Sequence, residues 1–332
     1  MTRAAPWLLV AGALLFVLVL SSHDLRVIFG ILALAGYGLL GVTLFHLVPL
    51  ILDAGAIRVL QSGARPGAML DAIRVRWIGE SANSLMPAGQ IGGPLLMMRQ
   101  LTQRGEAAPA AVAAITVSTT LQSFAQVVFA LMGVALMATH LAGISASASW
   151  SAVLIACACL IVPMVAFYAL QRRGLFAGVM RLGQRFAGAR DWSHLVKHAQ
   201  DIDAALAATY ARRAALWQSF ALSLLGWVVG TAEVWLILRL LGSAVSWSDA
   251  LMLESLGQAI RGAAFAIPGA LGVQEGGYLL LAPLVGLRPD VALALSLAKR
   301  ARELLLGIPG LIYLYFSERA FRRRLPAASP TP

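Results

Sequence analysis

The sequence predicts an all-α integral membrane protein, with about six full spans plus two oppositely oriented re-entrant helical segments forming an inverted repeat. Three observations carry that reading. Of 332 residues, 59% are hydrophobic and only 12% charged, and the mean hydropathy is +0.79, far outside the balance of an ordinary soluble domain. The apolar residues fall into runs able to cross about 30 Å of hydrocarbon, which takes about 20 helical residues. Two further runs are interrupted alike: Glu80 to Met98 reads ESANSLMPAGQIGGPLLMM, and Glu254 to Leu281 reads ESLGQAIRGAAFAIPGALGVQEGGYLLL. Paired Gly/Pro-broken segments at corresponding places in two halves are a sequence pointer to a transporter's binding site.

Six runs qualify as spans: Ala5 to Leu20, Val27 to Leu52, Ala107 to Ala138, Ser151 to Leu170, Ala215 to Leu241 and Asp290 to Phe316. Arg3 ahead of the first run resembles the start of a secretory signal, but no small-x-small cleavage site precedes Ser21, so the run reads as a retained helix. The net charge of +11 reports orientation rather than nucleic-acid binding, because the cations lie in the gaps between runs. Arg58, Arg65, Arg74 and Arg76 precede the first broken segment, and Arg99 and Arg104 follow it. The 171–213 linker and the tail from Arg319 to Arg324 are also basic, whereas 142–150 and 242–248 carry no Lys or Arg. By the positive-inside rule the first broken segment dips in from the cytoplasm and the second from outside.

The expected organisation is a single polytopic membrane domain over 1–325. It comprises an N-terminal helical hairpin (1–52), repeat 1 (53–138), a basic cytoplasmic or interfacial linker (171–213) and repeat 2 (215–316), with a disordered tail at 326–332. The linker, with Leu175, Val179, Leu182 and Phe186 at helical spacing, fits a basic amphipathic helix on the inner leaflet or a cytoplasmic helical hairpin. Cys157 and Cys159 lie in one apolar run, and five scattered histidines show no ligand spacing, so neither a disulfide framework, a metal site nor any cofactor is expected.

Candidate binding residues are the polar groups that sit where lipid should be. Lys299, Arg300, Arg302 and Glu303 fall near the middle of the last run, where a cation costs about 2.5–3.5 kcal/mol on insertion scales. At helical spacing all four share one inward face. Arg261 and Glu275 lie within the second broken segment, and Glu80, Asn83 and Arg99 within or beside the first. Thr116, Thr119, Ser123 and Gln126 form an uncharged stripe on the matching helix of repeat 1. Arg261 has two readings, a helix-stabilising pair with Glu254 or Gln258, or an anion site together with the cluster. Glu80 and Glu275 are read as proton carriers or counter-ions, and Glu233 as a further candidate. Pro87, Gly92, Gly93, Pro268, Gly269, Gly272 and Gly276 are the loop residues, and the Pro-Gly loop of the second segment would expose backbone N–H groups to a head-group phosphate. Gly89 to Gly93 lacks the GxGxxG spacing and the Lys-Ser/Thr of a nucleotide loop, and no catalytic constellation is recognisable.

IPGALGVQEGG (Ile267 to Gly277), SLAKRARELLLGIPGL (Ser296 to Leu311) and ESANSLMPAGQIGG (Glu80 to Gly93) resemble the flippase-like membrane region of lysylphosphatidylglycerol synthases. The resemblance is closest to the stand-alone branch associated with hopanoid biosynthesis, and it covers nearly the whole chain. With both termini set on the cytoplasmic side by the charge map, the resemblance implies a bacterial cytoplasmic (inner) membrane protein that moves or handles a polar or hopanoid-type lipid between leaflets, with lipids as partners and no nucleic acid. The alternative is a non-transporting accessory or scaffold protein for lipid-modifying enzymes. In the synthases a separate soluble domain performs aminoacyl transfer; no segment here is long and polar enough to be that domain, so no enzymatic activity is expected. Pro94 stands where the wider family commonly carries an acidic residue.

Overall fold

The computed structural model of the chain describes residues 5–63, 66–86, 89–141, 193–264 and 267–324, with a few positions between 162 and 173. All regular structure among these residues is helical. Four helices are long and apolar enough to cross a membrane: Gly38–Arg58, Ala108–Thr139, Arg213–Leu240 and Pro289–Arg323; a bent pair near the N-terminus would make a fifth. The expected span over Ser151 to Leu170, the residues Leu175 to Phe186 and the tail at 326–332 lie outside the described residues, apart from those few positions.

The N-terminal region departs from the expected hairpin. Helix α1 (Ala5–Ser21) and α2 (Leu25–Ala35) meet at 92°. Asp24 caps α2 by accepting from the Arg26 N–H at 2.9 Å, and Gly36, at φ +46°, ends it. The run expected from Val27 to Leu52 is therefore divided. Its membrane-crossing part begins at Gly38, as α3 (Gly38–Phe45) and α4 (Leu47–Arg58), with His46 at their junction. Arg212 closes the far end of α4 by donating to the carbonyls of Leu60 and Val59, both at 2.9 Å.

Each broken segment is a helical hairpin. The first is α5 (Ala68–Leu85) and α6 (Gly89–Gln103). Its arms run antiparallel at close range because Gly79 faces Met97 and Gly93 faces Asn83 and the Gly79 carbonyl. A Cβ at Gly93 would lie 2.5 Å from that carbonyl oxygen, so only glycine fits. Helix α7 (Ala108–Leu141) follows, and α8 (Ser193–Ala211) packs Leu206 and Tyr210 against Ala113, Ala114 and Val117 of its first half. The described end of the basic linker is thus a helix laid on the bundle.

Helix α9 (Arg213–Leu240) leads to the second hairpin, α10 (Trp247–Ala263) and α11 (Val273–Leu281). Ser246 and Asp249 form a reciprocal capping box at the start of α10. The arms are antiparallel, with Gly257 against Tyr278 and Gly277 against Ile260. Between them, Pro268–Ala270 forms a 3-10 turn in which Gly269 and Ala270 have φ of +60° and +48°. Helix α1 covers this break, with Gly12 against Ile267 and Leu271, and Leu15 against Gly272.

The last helix, α12 (Pro289–Arg324), serves both hairpins. Its first half packs on α11 through Ser296 and Arg300. Its second half packs on α5, with Gly307 against Leu85, Gly310 against Ser81, and Trp77 stacked on Tyr313 at 5.9 Å. Helix α7 does the reverse: its first half meets α6 through Ala111 and Ile115 against Met97 and Leu101. Its second half meets α10, with Gly133 against Ser255. The hairpin tips touch: a Cβ on Gly269 would lie 3.1 Å from the Ser84 carbonyl oxygen.

Candidate functional site

Where the tips meet, the helices surround a half-open cavity of about 230 Å³. Buried apolar side chains fill most of the surrounding bundle, yet the cavity wall sets charged and polar groups among apolar ones such as Leu50, Met97, Trp227 and Ile267. Each ionic group reaches it from a named element, and each has an opposite charge beside it.

On the second hairpin's side, Lys299 Nζ lies 2.5 Å from Glu254 Oε2. The same carboxylate accepts from the Tyr278 hydroxyl at 3.2 Å and from Gln258 Nε2 at 2.8 Å. Arg261 pairs with Glu303 and donates to Gln274 Oε1 at 2.9 Å. Of the two sequence readings of Arg261, helix pairing with Glu254 or Gln258 is replaced by a cross-helix pair, because α10 faces α12 here. Lys299, Arg302 and Glu303 share one face of α12 and line the cavity.

Arg300 and Glu275 occupy a different place, behind the cavity wall. Arg300 Nε donates to Glu275 Oε1 at 3.1 Å, and its Nη1 to the Gly269 carbonyl at 2.5 Å. Glu275 also accepts from the Gly272 backbone N–H at 2.8 Å and from Ser296 Oγ at 3.0 Å. Together these bonds pin the non-helical break between α10 and α11. The Gly272 amide expected to face a phosphate is therefore already bound to a carboxylate. Gly276 sits on α11 with open space beside it, and Pro268 opens the 3-10 turn.

The first hairpin contributes more charge than a neutral counterpart would. Arg76, which the charge map places among the cytoplasmic arginines, lies in the cavity wall with Nη2 2.6 Å from Asp53 Oδ2. Gln122 Nε2 donates to the same oxygen at 2.8 Å. Asn83 lines the cavity and accepts from the Gly93 N–H at 3.0 Å, so its oxygen ties the hairpin arms together. Pro87 lies outside the described residues; Gly92 falls in the first turn of α6.

At the centre, His46 joins the two sides. Its Nε2 is 2.7 Å from Glu80 Oε1 and its Nδ1 is 2.8 Å from Glu233 Oε2. Arg302 Nε is 3.0 Å from Glu233 Oε1, and Arg302 Nη1 is 3.4 Å from Glu80 Oε1. Because His46 meets the two carboxylates from opposite ring nitrogens, the three groups do not converge on one point. Among the described residues no His, Cys, Asp or Glu group has a metal-holding arrangement.

Of the uncharged stripe on α7, Thr119, Ser123 and Gln126 line the cavity and Thr116 does not. Gln126 Nε2 donates to the Gln258 carbonyl at 3.0 Å, joining α7 to the second hairpin. Arg99 lies away from the cavity, where its guanidinium forms a two-bond pair with Glu318 at 2.9 and 2.8 Å. Gln100 and Gln103 donate to the same carboxylate. This cluster fastens α6 to the end of α12.

Sequence reasoning passed over His46, Asp53 and Gln122, and placed Arg76 elsewhere. The signal was present: His46 and Asp53 are polar residues seven apart in an apolar span, on one helical face. Arg76 and Glu80 have the same-face spacing on α5.

No curated protein and no solved structure matches the chain. The family model described as the lysylphosphatidylglycerol synthase TM region matches residues 7–310. The chain is therefore a membrane protein belonging to that family, which implies a lipid-related role.

Proposed function

We propose that this protein is a membrane lipid transporter or flippase, handling a polar or hopanoid-type lipid at a midplane site between two inverted repeats. The observation that carries the reading is the ion-lined cavity where the two hairpin tips meet. Intramembrane ionisable groups are expensive and mark substrate pathways by default. The reciprocal packing supports the repeat: α7 begins on the first hairpin and ends on the second, and α12 does the reverse. The cavity, at about 230 Å³, is smaller than the roughly 300 Å³ at which pockets for whole drug-sized ligands begin. It suits a head group whose apolar body stays in the bilayer.

Each cavity cation already faces a carboxylate, so a head group enters by exchanging partners within these pairs rather than by landing on a bare positive patch. The protein acts without chemical conversion of the lipid. The basic end of α12, with Arg319, Arg322 and Arg323, supports a cytoplasmic C-terminus in a bacterial inner membrane under the positive-inside rule. One feature favours a second reading, an accessory protein for lipid-modifying enzymes: the ion pairs close on one another and would also serve to hold the bundle together.

The test is reconstitution into liposomes with fluorescent head-group-labelled lipids of several classes, alongside mass spectrometry of the co-purifying lipid. Accelerated exchange between leaflets for at least one class is expected. Exchange no faster than in protein-free vesicles for every class would remove the transport reading and leave the accessory one.

A further inference from the structure

The ring of His46 has a carboxylate at each nitrogen: Glu233 of α9 at 2.8 Å and Glu80 of α5 at 2.7 Å. A neutral imidazole has one N–H donor and one acceptor nitrogen, so it satisfies only one ionised carboxylate. The second contact requires a further proton. The charge inventory asks for the same one. Around the cavity and its wall stand six carboxylates, Asp53, Glu80, Glu233, Glu254, Glu275 and Glu303, against five cations, Arg76, Arg261, Lys299, Arg300 and Arg302. In a low-dielectric interior an unbalanced charge is costly, and an imidazolium at position 46 brings the total to neutrality.

We infer that His46 is a proton-binding site and that the proton it carries is a co-substrate, taken up and released once in each cycle of lipid movement. This rests on the transport reading and adds the energy source to it. Arg302 of α12 opposes the proton: its Nη1 lies 2.9 and 2.7 Å from the two ring nitrogens. The same side chain contacts both carboxylates, at 3.0 Å for Glu233 and 3.4 Å for Glu80. Proton and guanidinium thus compete for the same two partners. With the ring charged, the carboxylates are held on His46. When the proton leaves to water at the cavity mouth, the ring keeps one N–H, and the released carboxylate passes to Arg302.

That exchange moves charge between α4, α5, α9 and α12, and α5 is an arm of the first hairpin, whose tip meets the second. The other charged groups facing this centre are Asp53 of α4, Arg76 of α5, Arg261 and Glu254 of α10, and Lys299 and Glu303 of α12. Each of these has its own opposite partner, which leaves His46 as the group whose proton settles the balance.

The first test needs no transport. Nitrogen NMR of the full chain labelled at histidine, in detergent at pH 7, is expected to show one imidazolium that is lost in His46→Gln. In Glu233→Gln, which leaves five carboxylates and five cations, the same signal is expected to become that of a neutral ring. Size-exclusion elution checks that both variants fold, and either folded variant suffices. A neutral His46 in the wild-type protein would overturn the proposal. The second test uses proteoliposomes enclosing a pH-sensitive dye: lipid movement should change lumenal pH with wild-type protein and not with His46→Gln. Lipid movement with no lumenal pH change in the wild type would overturn the coupling while the transport reading stands. No lipid movement at all would remove both.

Discussion

The two hairpins meet at one cavity but hold their charges differently. On the second hairpin's side, the Lys299 and Glu254 side chains are 2% and 6% exposed, and Glu254 is also held by Tyr278 and Gln258. On the first hairpin's side, Arg76 and Asp53 are each 15% exposed, and one amide, from Gln122, supports the pair. The break of the second hairpin is pinned by Arg300 and Glu275, whereas the arms of the first are joined by two close glycine contacts and one hydrogen bond, from the Gly93 N–H to Asn83. The second side is thus built as a fixed ionic frame. The first, with His46 and Glu80 at its edge, has fewer bonds to break when partners change.

The comparison breaks most visibly where one member of a buried pair is removed. Glu254→Ala strands a buried ammonium and should cost about 3–5 kcal/mol of stability, read as lost folded yield in mild detergent. Asp53→Ala, on the wetter side, should cost about 1.5–3 kcal/mol. Equal losses would erase the distinction drawn between the two sides. Next comes a glycine contact of the first hairpin: Gly93→Ala should cost about 1–3 kcal/mol by overpacking against Asn83 and the Gly79 carbonyl. Gly276→Ala on the second hairpin has open space to fill and should be neutral or stabilising in the same thermal-unfolding assay. The smallest effect belongs to Arg99→Ala, where a guanidinium 53% exposed gives up a surface pair of about 0–1 kcal/mol. Its effect should shrink further as salt is raised.

Much of this fold was legible because membrane chemistry leaves strong marks. Long apolar runs placed α7, α9 and α12 within a few residues except at the C-terminal end of α12, where the basic extension past Phe316 remains helical. The Gly/Pro interruptions located both hairpins. The division at Gly36 was hidden, because an apolar run looks alike whether the helix continues or turns. Of the candidate site, the cluster on α12 could be read from cations at helical spacing in an apolar run. The first hairpin's share was not, because the positive-inside rule treats every arginine in a gap as a surface charge. Arg76 is instead turned inward by Asp53, a partner 23 residues away. Arg300 and Glu275 show the converse limit: their charge was evident from sequence, but only the packing of α11 on α12 reveals that they hold the break rather than face the cavity.

The most direct test of the account fills the cavity without touching an ion pair. Ser123 lines it from α7, and its hydroxyl donates only within its own helix, to the Thr119 carbonyl at 2.9 Å. The measurement is the rate at which head-group-labelled lipid crosses between leaflets in proteoliposomes carrying Ser123→Phe at wild-type folded yield. A lipid path through the cavity predicts a rate close to that of protein-free vesicles, and a rate equal to wild type would contradict it.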